Sequence, residues 1–148
     1  MSSTKGSLGA DNYDGWGVIR LPFGGERGGG FLILPYAGER ITAEFHAAKM
    51  ELILLLNEEL LADIKADMPP EAWGWRSPDD LIPLLNDPLQ QADNLRRTVS
   101  TINRTFRTAA AQALPGERVP RLIATKRLIG VRLQWPFRLD FPDDRIAS

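Results

Sequence analysis

One segment of sixteen residues, NLRRTVSTINRTFRTA at positions 94–109, carries the residue types best suited to binding anions, including four arginines. If the segment is a helix turning by about 100° per residue, its apolar side chains fall in one narrow stripe. That stripe consists of Leu95, Val99, Ile102 and Phe106. The opposite face collects hydrogen-bond donors, namely Arg97, Ser100, Thr101, Arg104, Arg107 and Thr108. The spacing therefore predicts a helix with one buried face and one face that contacts anions.

The charge of the chain is divided unevenly along its length. The formal net charge of the whole chain is −1, but residues 1–92 hold 7 basic and 14 acidic residues, whereas residues 93–132 hold 9 and 2. A block with this excess of positive charge produces a local field that attracts polyanions. Nucleic acid is the polyanion that we expect. The commoner meaning of such a pattern, a solvated basic face that forms ion pairs with an acidic first helix, is the alternative.

Length and composition restrict the class of protein. A chain of 148 residues with 43% hydrophobic residues fits one globular domain with a real core. No apolar run reaches the roughly 18 residues of a membrane span, and the N-terminus lacks the apolar segment of a secretory signal. We therefore expect a protein of the bacterial cytoplasm that makes no membrane contact. The absence of cysteine excludes disulfides, thiolate metal ligands and a cysteine nucleophile.

The first half of the chain predicts a flexible arm, two strands and a long helix. Residues 1–15 are polar and contain no periodic apolar pattern, which is typical of a flexible arm. The runs WGVIRLPF and FLILPY predict two antiparallel strands joined by the turn GGERGGG, whose glycines lack the spacing of a phosphate-binding loop. Thr42 is expected to cap a helix that has Glu44 in its first turn and ends near Asp67.

The second half predicts a short helix, the arginine helix and a hairpin. The paired prolines of MPPEAWGW end the first helix, and Ser77 is expected to cap a short second helix with Pro78 at its first position. The arginine helix covers residues 93–113. Alternating apolar residues then predict a hairpin over residues 120–134, with a turn at Arg127 to Gly130.

Local motifs agree with this order of elements. The stretch ITAEFHAAKMELILLL looks like a Leu-Thr-x-x-Glu-Phe helix opening, RSPDDL is similar to Ser-Arg-Glu-Glu-Leu, and LIATKRLIGVRL is similar to Thr-Val-Arg-Gly-x-Gly-Tyr-Arg-Leu, with Leu128 in place of glycine. Together, over residues 31–134, they resemble the winged helix-turn-helix DNA-binding domain of the OmpR/PhoB response-regulator family, without its receiver domain. The fold class implied is α+β, a winged helix-turn-helix with an N-terminal antiparallel sheet, three helices and a C-terminal β-hairpin wing. The implied organisation is an arm (1–15), a domain (16–135) and a tail (136–148).

The resemblance implies sequence-specific binding of double-stranded DNA by a bacterial transcriptional regulator, with further copies of the protein on direct repeats. The second helix of such a motif enters the major groove. On that helix, base contacts are expected from Arg97, Thr101 and Arg104, and phosphate contacts from Arg96, Ser100 and Arg107. The wing is expected to reach the backbone or the minor groove through Thr125, Lys126, Arg127 and Arg132. Arg118 and Arg121 remain without an assigned role.

Two other classes of function compete with DNA binding. A winged-helix module within a larger assembly would bind a protein partner through the acidic first helix and the segment Trp73–Trp75, because aromatic and arginine side chains are common anchors of interfaces. Catalysis has less support, since the single histidine, His46, has no metal-ligand partner nearby in the sequence. The acidic pairs Glu58–Glu59 and Asp79–Asp80 are interpreted as helix-surface or capping residues. We expect no enzymatic activity, no cofactor and no metal.

Overall fold

The computed structural model describes residues 16–21, 29–85 and 92–140, so the predicted arm at residues 1–15 lies outside the described residues. The strands are β1 (Gly17–Arg20), β2 (Gly30–Tyr36), β3 (Glu39–Phe45), β4 (Ile123–Lys126), β5 (Gly130–Leu133) and β6 (Phe137–Asp140). The helices are α1 (Ala47–Lys65), α2 (Pro78–Leu81) and α3 (Ala92–Ala113). The described fold is therefore α+β, with three helices, a mixed four-stranded sheet and a two-stranded hairpin.

The main sheet has the strand order β3-β2-β1-β6. The predicted antiparallel pairing of the first two strands is confirmed, with Val18 opposite Ile33. Strand β6 pairs with β1 in parallel, so the sheet is not purely antiparallel and the predicted tail begins with a strand of the domain. This pairing depends on Gly17, because a Cβ atom at that position would collide with the ring of Phe137, which is fully buried.

The predicted helix start at Thr42 is wrong, because residues 39–45 form β3. This strand follows β2 through a tight turn at Ala37 and Gly38 and pairs with it along its whole length. Its side chains alternate, with Ile41, Ala43 and Phe45 buried and Thr42 and Glu44 exposed. A period of two is the signature of a strand with one buried face. Helix α1 begins only after His46, which makes no side-chain cap.

The short second helix begins as predicted. The Ser77 hydroxyl accepts a hydrogen bond from the Asp80 backbone N–H (3.2 Å), and the Asp80 carboxylate accepts one from the Ser77 N–H (3.4 Å), which completes a capping box. Pro78 occupies the first turn, where its missing N–H costs nothing. The α-helical part ends at Leu81 and continues as one 3₁₀ turn over Ile82–Leu84.

Helix α3 is confirmed, together with its buried stripe. Leu95, Val99, Ile102 and Phe106 are all buried in the core, which α3 shares with α1 and one face of the main sheet. The hairpin of β4 and β5 is also confirmed, with Ile123 opposite Leu133 and a turn at residues 127–129. No helix in the described ranges combines the length and the apolar character needed to cross a membrane.

Candidate functional site

The outward face of α3 carries cations that the rest of the described structure does not neutralise. Of the ten residues predicted to contact DNA, five are exposed on this helix and Thr101 is half-buried; the five are Arg96, Arg97, Ser100, Arg104 and Arg107. Arg96 pairs with Asp93 at 3.4 Å, but both side chains are more than two-thirds exposed and such a pair is weak. Among residues 16–21, 29–85 and 92–140, no carboxylate forms a salt bridge with Arg97, Arg104 or Arg107.

A cleft of about 460 Å³ lies between α3 and the segment at residues 119–125. Its polar lining comes from both sides and consists of Arg96, Ser100, Asn103, Arg104, Arg107, Arg121 and Thr125. Its apolar lining consists of Val99, Phe106, Val119 and Pro120. The structure thus brings the predicted phosphate contacts of α3 together with Thr125 of the hairpin. It adds Arg121, to which the sequence assigned no role.

One asparagine of α3 joins the two sides of this cleft. The Asn103 side-chain amide donates to the Ile123 backbone oxygen (3.0 Å), and its carbonyl oxygen accepts from the Ile123 N–H (2.8 Å). The two hydrogen bonds hold the first residue of β4 against the helix, and each polar atom of the amide group takes part in one of them. Sequence analysis missed this residue because an asparagine in the polar part of a helix carries no sign of its distant partner.

Arg132 and Lys126 lie on the other face of the hairpin. The register places Ala124 opposite Arg132 and Thr125 opposite Val131, so Thr125 and Arg132 point to different sides. The Arg132 guanidinium lies 4.7 Å from the ring of Trp75, and the Lys126 ammonium lies 5.6 Å from the same ring. The Arg132 guanidinium also donates to the backbone oxygens of Pro70 (3.2 Å), Glu71 (3.4 Å) and Trp73 (3.2 Å). Burial lowers the pKa of Arg132. The hydrogen bonds from its Nη1 join the hairpin to residues 70–73, whereas its buried Nε has no hydrogen-bond partner among the described residues.

The tip of the hairpin is exposed and contains an unusual backbone conformation. Arg127 is exposed at the turn, and Leu128 is 96% exposed with a φ of 68°. A residue with a Cβ atom adopts this left-handed region at a cost. Arg127 is therefore the hairpin cation that is free to contact a ligand.

Two acidic side chains of α1, Glu59 and Asp63, pair with Arg76 rather than with an arginine of α3. Arg76 Nε lies 2.7 Å from Glu59 Oε1, and its Nη2 lies 3.0 Å from Asp63 Oδ1. The hydrogen bond from Arg76 is the main cause that lowers the pKa of Asp63, which also accepts a bond from the Gly74 N–H at 2.7 Å. The same bond raises the pKa of Arg76. Ion pairing between α1 and the arginines of α3 therefore has no support among the described residues.

The side chain of Arg76 contacts α1, and its backbone is bonded to the hairpin. Its N–H donates to the Val131 oxygen (3.0 Å), and the Val131 N–H donates to the Arg76 oxygen (2.9 Å). This bridge adds one residue of a third strand beside β5. It requires the glycine at position 130, because a Cβ atom there would collide with the Arg76 carbonyl.

His46 has the surroundings of a surface residue. Its Nε2 lies 2.8 Å from Glu44 Oε2, and both side chains are more than half exposed. Within the described part of the chain, no group of three His, Cys, Asp or Glu side chains is placed to hold a metal ion. Neither a family model, nor a curated protein, nor a solved structure matches this chain.

Proposed function

We propose that this protein binds double-stranded DNA in a sequence-specific manner, as a bacterial transcriptional regulator, with α3 in the major groove and the β4–β5 hairpin as the wing. The observation that carries the proposal is the outward face of α3, where Arg97, Arg104 and Arg107 form no salt bridge with any described carboxylate. Cations presented along one helix face can contact the phosphates of a duplex, and an α-helix fits the major groove.

The order of elements supports the same proposal. The capped α2, the amphipathic α3 and the hairpin follow one another as in the winged helix-turn-helix that the sequence resembles. The Arg76–Val131 bridge ties the segment before α2 to the hairpin and so fixes the hairpin relative to the helices. A wing needs this kind of anchoring, because a hairpin of two strands alone is marginally stable in water.

The side chains divide into base contacts and phosphate contacts. Arg97 and Arg104 lie at the centre of the exposed face, where a guanidinium can bind the O6 and N7 atoms of guanine. Phosphate contacts fall to the flanking side chains, which are Arg96, Ser100, Arg107, Thr125 and Arg127. Thr101 is half-buried, which reduces its reach, and Lys126 lies near the ring of Trp75. Arg132 is not among the proposed DNA contacts, because its guanidinium donates to backbone oxygens.

The competing proposal, a protein-interaction module, draws less support from its two tryptophans, whose indole N–H groups are already bonded. The Trp73 indole N–H donates to the Met68 oxygen (2.7 Å), and the Trp75 indole N–H donates to the Glu71 oxygen (3.0 Å). The Trp75 ring is also partly covered by the cations of the hairpin. Both indoles therefore stabilise their own loop.

The test is a gel-shift titration over a series of salt concentrations. Wild type and the double variant Arg97→Ala/Arg104→Ala are compared on a duplex selected from a random library and on its scrambled form. We expect the double variant to lose the preference between the two duplexes, by about 1–3 kcal/mol for each guanine contact.

Arg138→Ala is the matched control, because this exposed arginine lies on β6, at the edge of the sheet opposite β3. It should leave both affinities unchanged. The proposal fails if wild type does not shift the duplex at low salt, or if the control weakens binding as much as the double variant does.

A further inference from the structure

We propose that the cleft between α3 and residues 119–125 binds a small phosphorylated ligand that carries a flat apolar group, of the nucleotide class, and that this ligand competes with DNA. The competition rests on the proposed function, whereas the binding itself does not. Three features of the cleft support the proposal: its charge, its apolar lining, and the side chains that it shares with the surface proposed to bind DNA.

The charge of the cleft is suited to phosphate. Four arginines line it, namely Arg96, Arg104, Arg107 and Arg121, and the described residues contain a salt bridge to Arg96 alone. A guanidinium presents paired N–H donors that match two oxygens of one phosphate group. Several such groups around one concave space favour a ligand with two or more negative charges.

The cleft has an apolar lining, and this feature separates a nucleotide from a bare phosphate. Its accessible apolar surface comes from Val119 and Pro120 on the wall opposite α3, whereas Val99 and Phe106 lie beneath the lining and are almost fully buried. A backbone phosphate of DNA would gain nothing from these side chains. A volume of about 460 Å³ lies within the range of roughly 300–1,000 Å³ for small-molecule sites, which combine apolar walls with a few placed polar groups.

The available hydrogen-bonding groups fit the same class of ligand. The hydroxyls of Ser100 and Thr125 line the cleft and are able to donate to or accept from a sugar or a base. The Asn103 amide is bonded to Ile123 through both of its polar atoms, so its role is to hold the wall in place.

Competition follows from shared side chains. Arg96, Arg104 and Arg107 belong both to the cleft and to the surface proposed for DNA. A guanidinium that binds the phosphate of a small ligand is not available to a duplex, and the ligand also neutralises the positive field of this face. The bound ligand therefore lowers the affinity for DNA.

The experiment is isothermal titration calorimetry of the full chain with four probes: AMP, GMP, UMP and inorganic pyrophosphate. We expect saturable 1:1 binding of at least one nucleotide, at least tenfold tighter than pyrophosphate because pyrophosphate cannot use the apolar lining. Arg121→Ala should weaken nucleotide binding at least tenfold. The Arg121 side chain is exposed and its described hydrogen bond is made by the backbone, so the variant should keep the wild-type melting temperature.

Arg97→Ala is the matched control, because Arg97 is an exposed arginine of α3 that does not line the cleft. It should leave nucleotide binding unchanged. The inference is overturned if no probe saturates at millimolar concentration, or if Arg97→Ala and Arg121→Ala weaken binding equally, since the attraction would then be nonspecific.

Gel shifts with the same nucleotide distinguish this inference from the proposed function. A duplex released by the nucleotide from wild type, but not from Arg121→Ala, supports both. Nucleotide binding without any DNA shift keeps the cleft assignment and overturns DNA binding. A DNA shift that is insensitive to a bound nucleotide overturns the competition alone.

Discussion

Two sets of arginines in this molecule have the same chemistry and opposite surroundings. Arg76 and Arg132 are partly buried, bonded to carboxylates or backbone oxygens, and shifted in pKa in opposite directions. Arg97, Arg104 and Arg107 stand on the exposed face of α3 and form no salt bridge within the described ranges. The comparison teaches that a count of basic residues measures the field of a segment, while burial and partners decide which cations remain available for a ligand.

The largest difference between the bonded and the exposed arginines is expected in the free energy of unfolding of their alanine variants. Arg76→Ala leaves the carboxylate of Asp63 largely buried without its partner, a change that costs about 2–4 kcal/mol. Arg104→Ala removes an exposed side chain and should change stability by less than about 0.5 kcal/mol. Urea unfolding of both variants measures the difference. Equal midpoints for the two variants would contradict the division into structural and free arginines.

Much of the region around α3 could be predicted from the sequence because its signals are local. The buried stripe of Leu95, Val99, Ile102 and Phe106 follows from the helical period alone. The cap at Ser77 follows from hydrogen bonds within four residues. The same helical period places Arg97, Arg104 and Arg107 on the exposed side of the helix.

The sequence is least informative where a distant partner decides the structure. The sequence at Thr42 and Glu44 fits a helix opening, but the neighbouring β2 strand provides hydrogen bonds that make it a strand. Phe137 joins the sheet only because Gly17, 120 positions earlier, leaves space for its ring. Arg132 has the spacing of a wing cation, yet the carbonyl groups of the loop before α2 bind it.

An intermediate effect is expected in the dependence of stability on pH. The folded-state pKa of Asp63 is lowered below its ordinary value of 3.8, mainly by the hydrogen bond from Arg76. A carboxylate whose pKa is lowered by folding contributes stability above its unfolded pKa and loses it as the pH falls toward the folded value. Wild type should therefore lose stability below pH 3.8 more steeply than Asp63→Asn. Parallel curves of unfolding free energy against pH for the two proteins would refute this role of the pair.

The smallest effect concerns the tip of the hairpin and the face that packs against Trp75, and it compares Arg127→Ala with Arg132→Ala. Arg127 is exposed at the tip, so its loss should weaken binding to all DNA sequences alike. It should also reduce the steepness with which the logarithm of the affinity falls with the logarithm of the salt concentration (the salt slope) by about one unit. Arg132 holds the loop at residues 70–73 through backbone oxygens, so its loss should instead reduce stability by about 1 kcal/mol and leave the salt slope unchanged.

Each variant serves as the control for the other, because both remove one arginine from the same hairpin and change the net charge equally. Long-range attraction toward DNA therefore falls by the same amount in both, and any difference in slope reports a direct phosphate contact. Affinity is measured on a selected and a scrambled duplex over a salt series, with thermal melts of the free proteins alongside. If Arg132→Ala lowers the slope and Arg127→Ala does not, the roles of the two arginines are the reverse of those proposed, since the cation above Trp75 would then leave the loop to bind DNA.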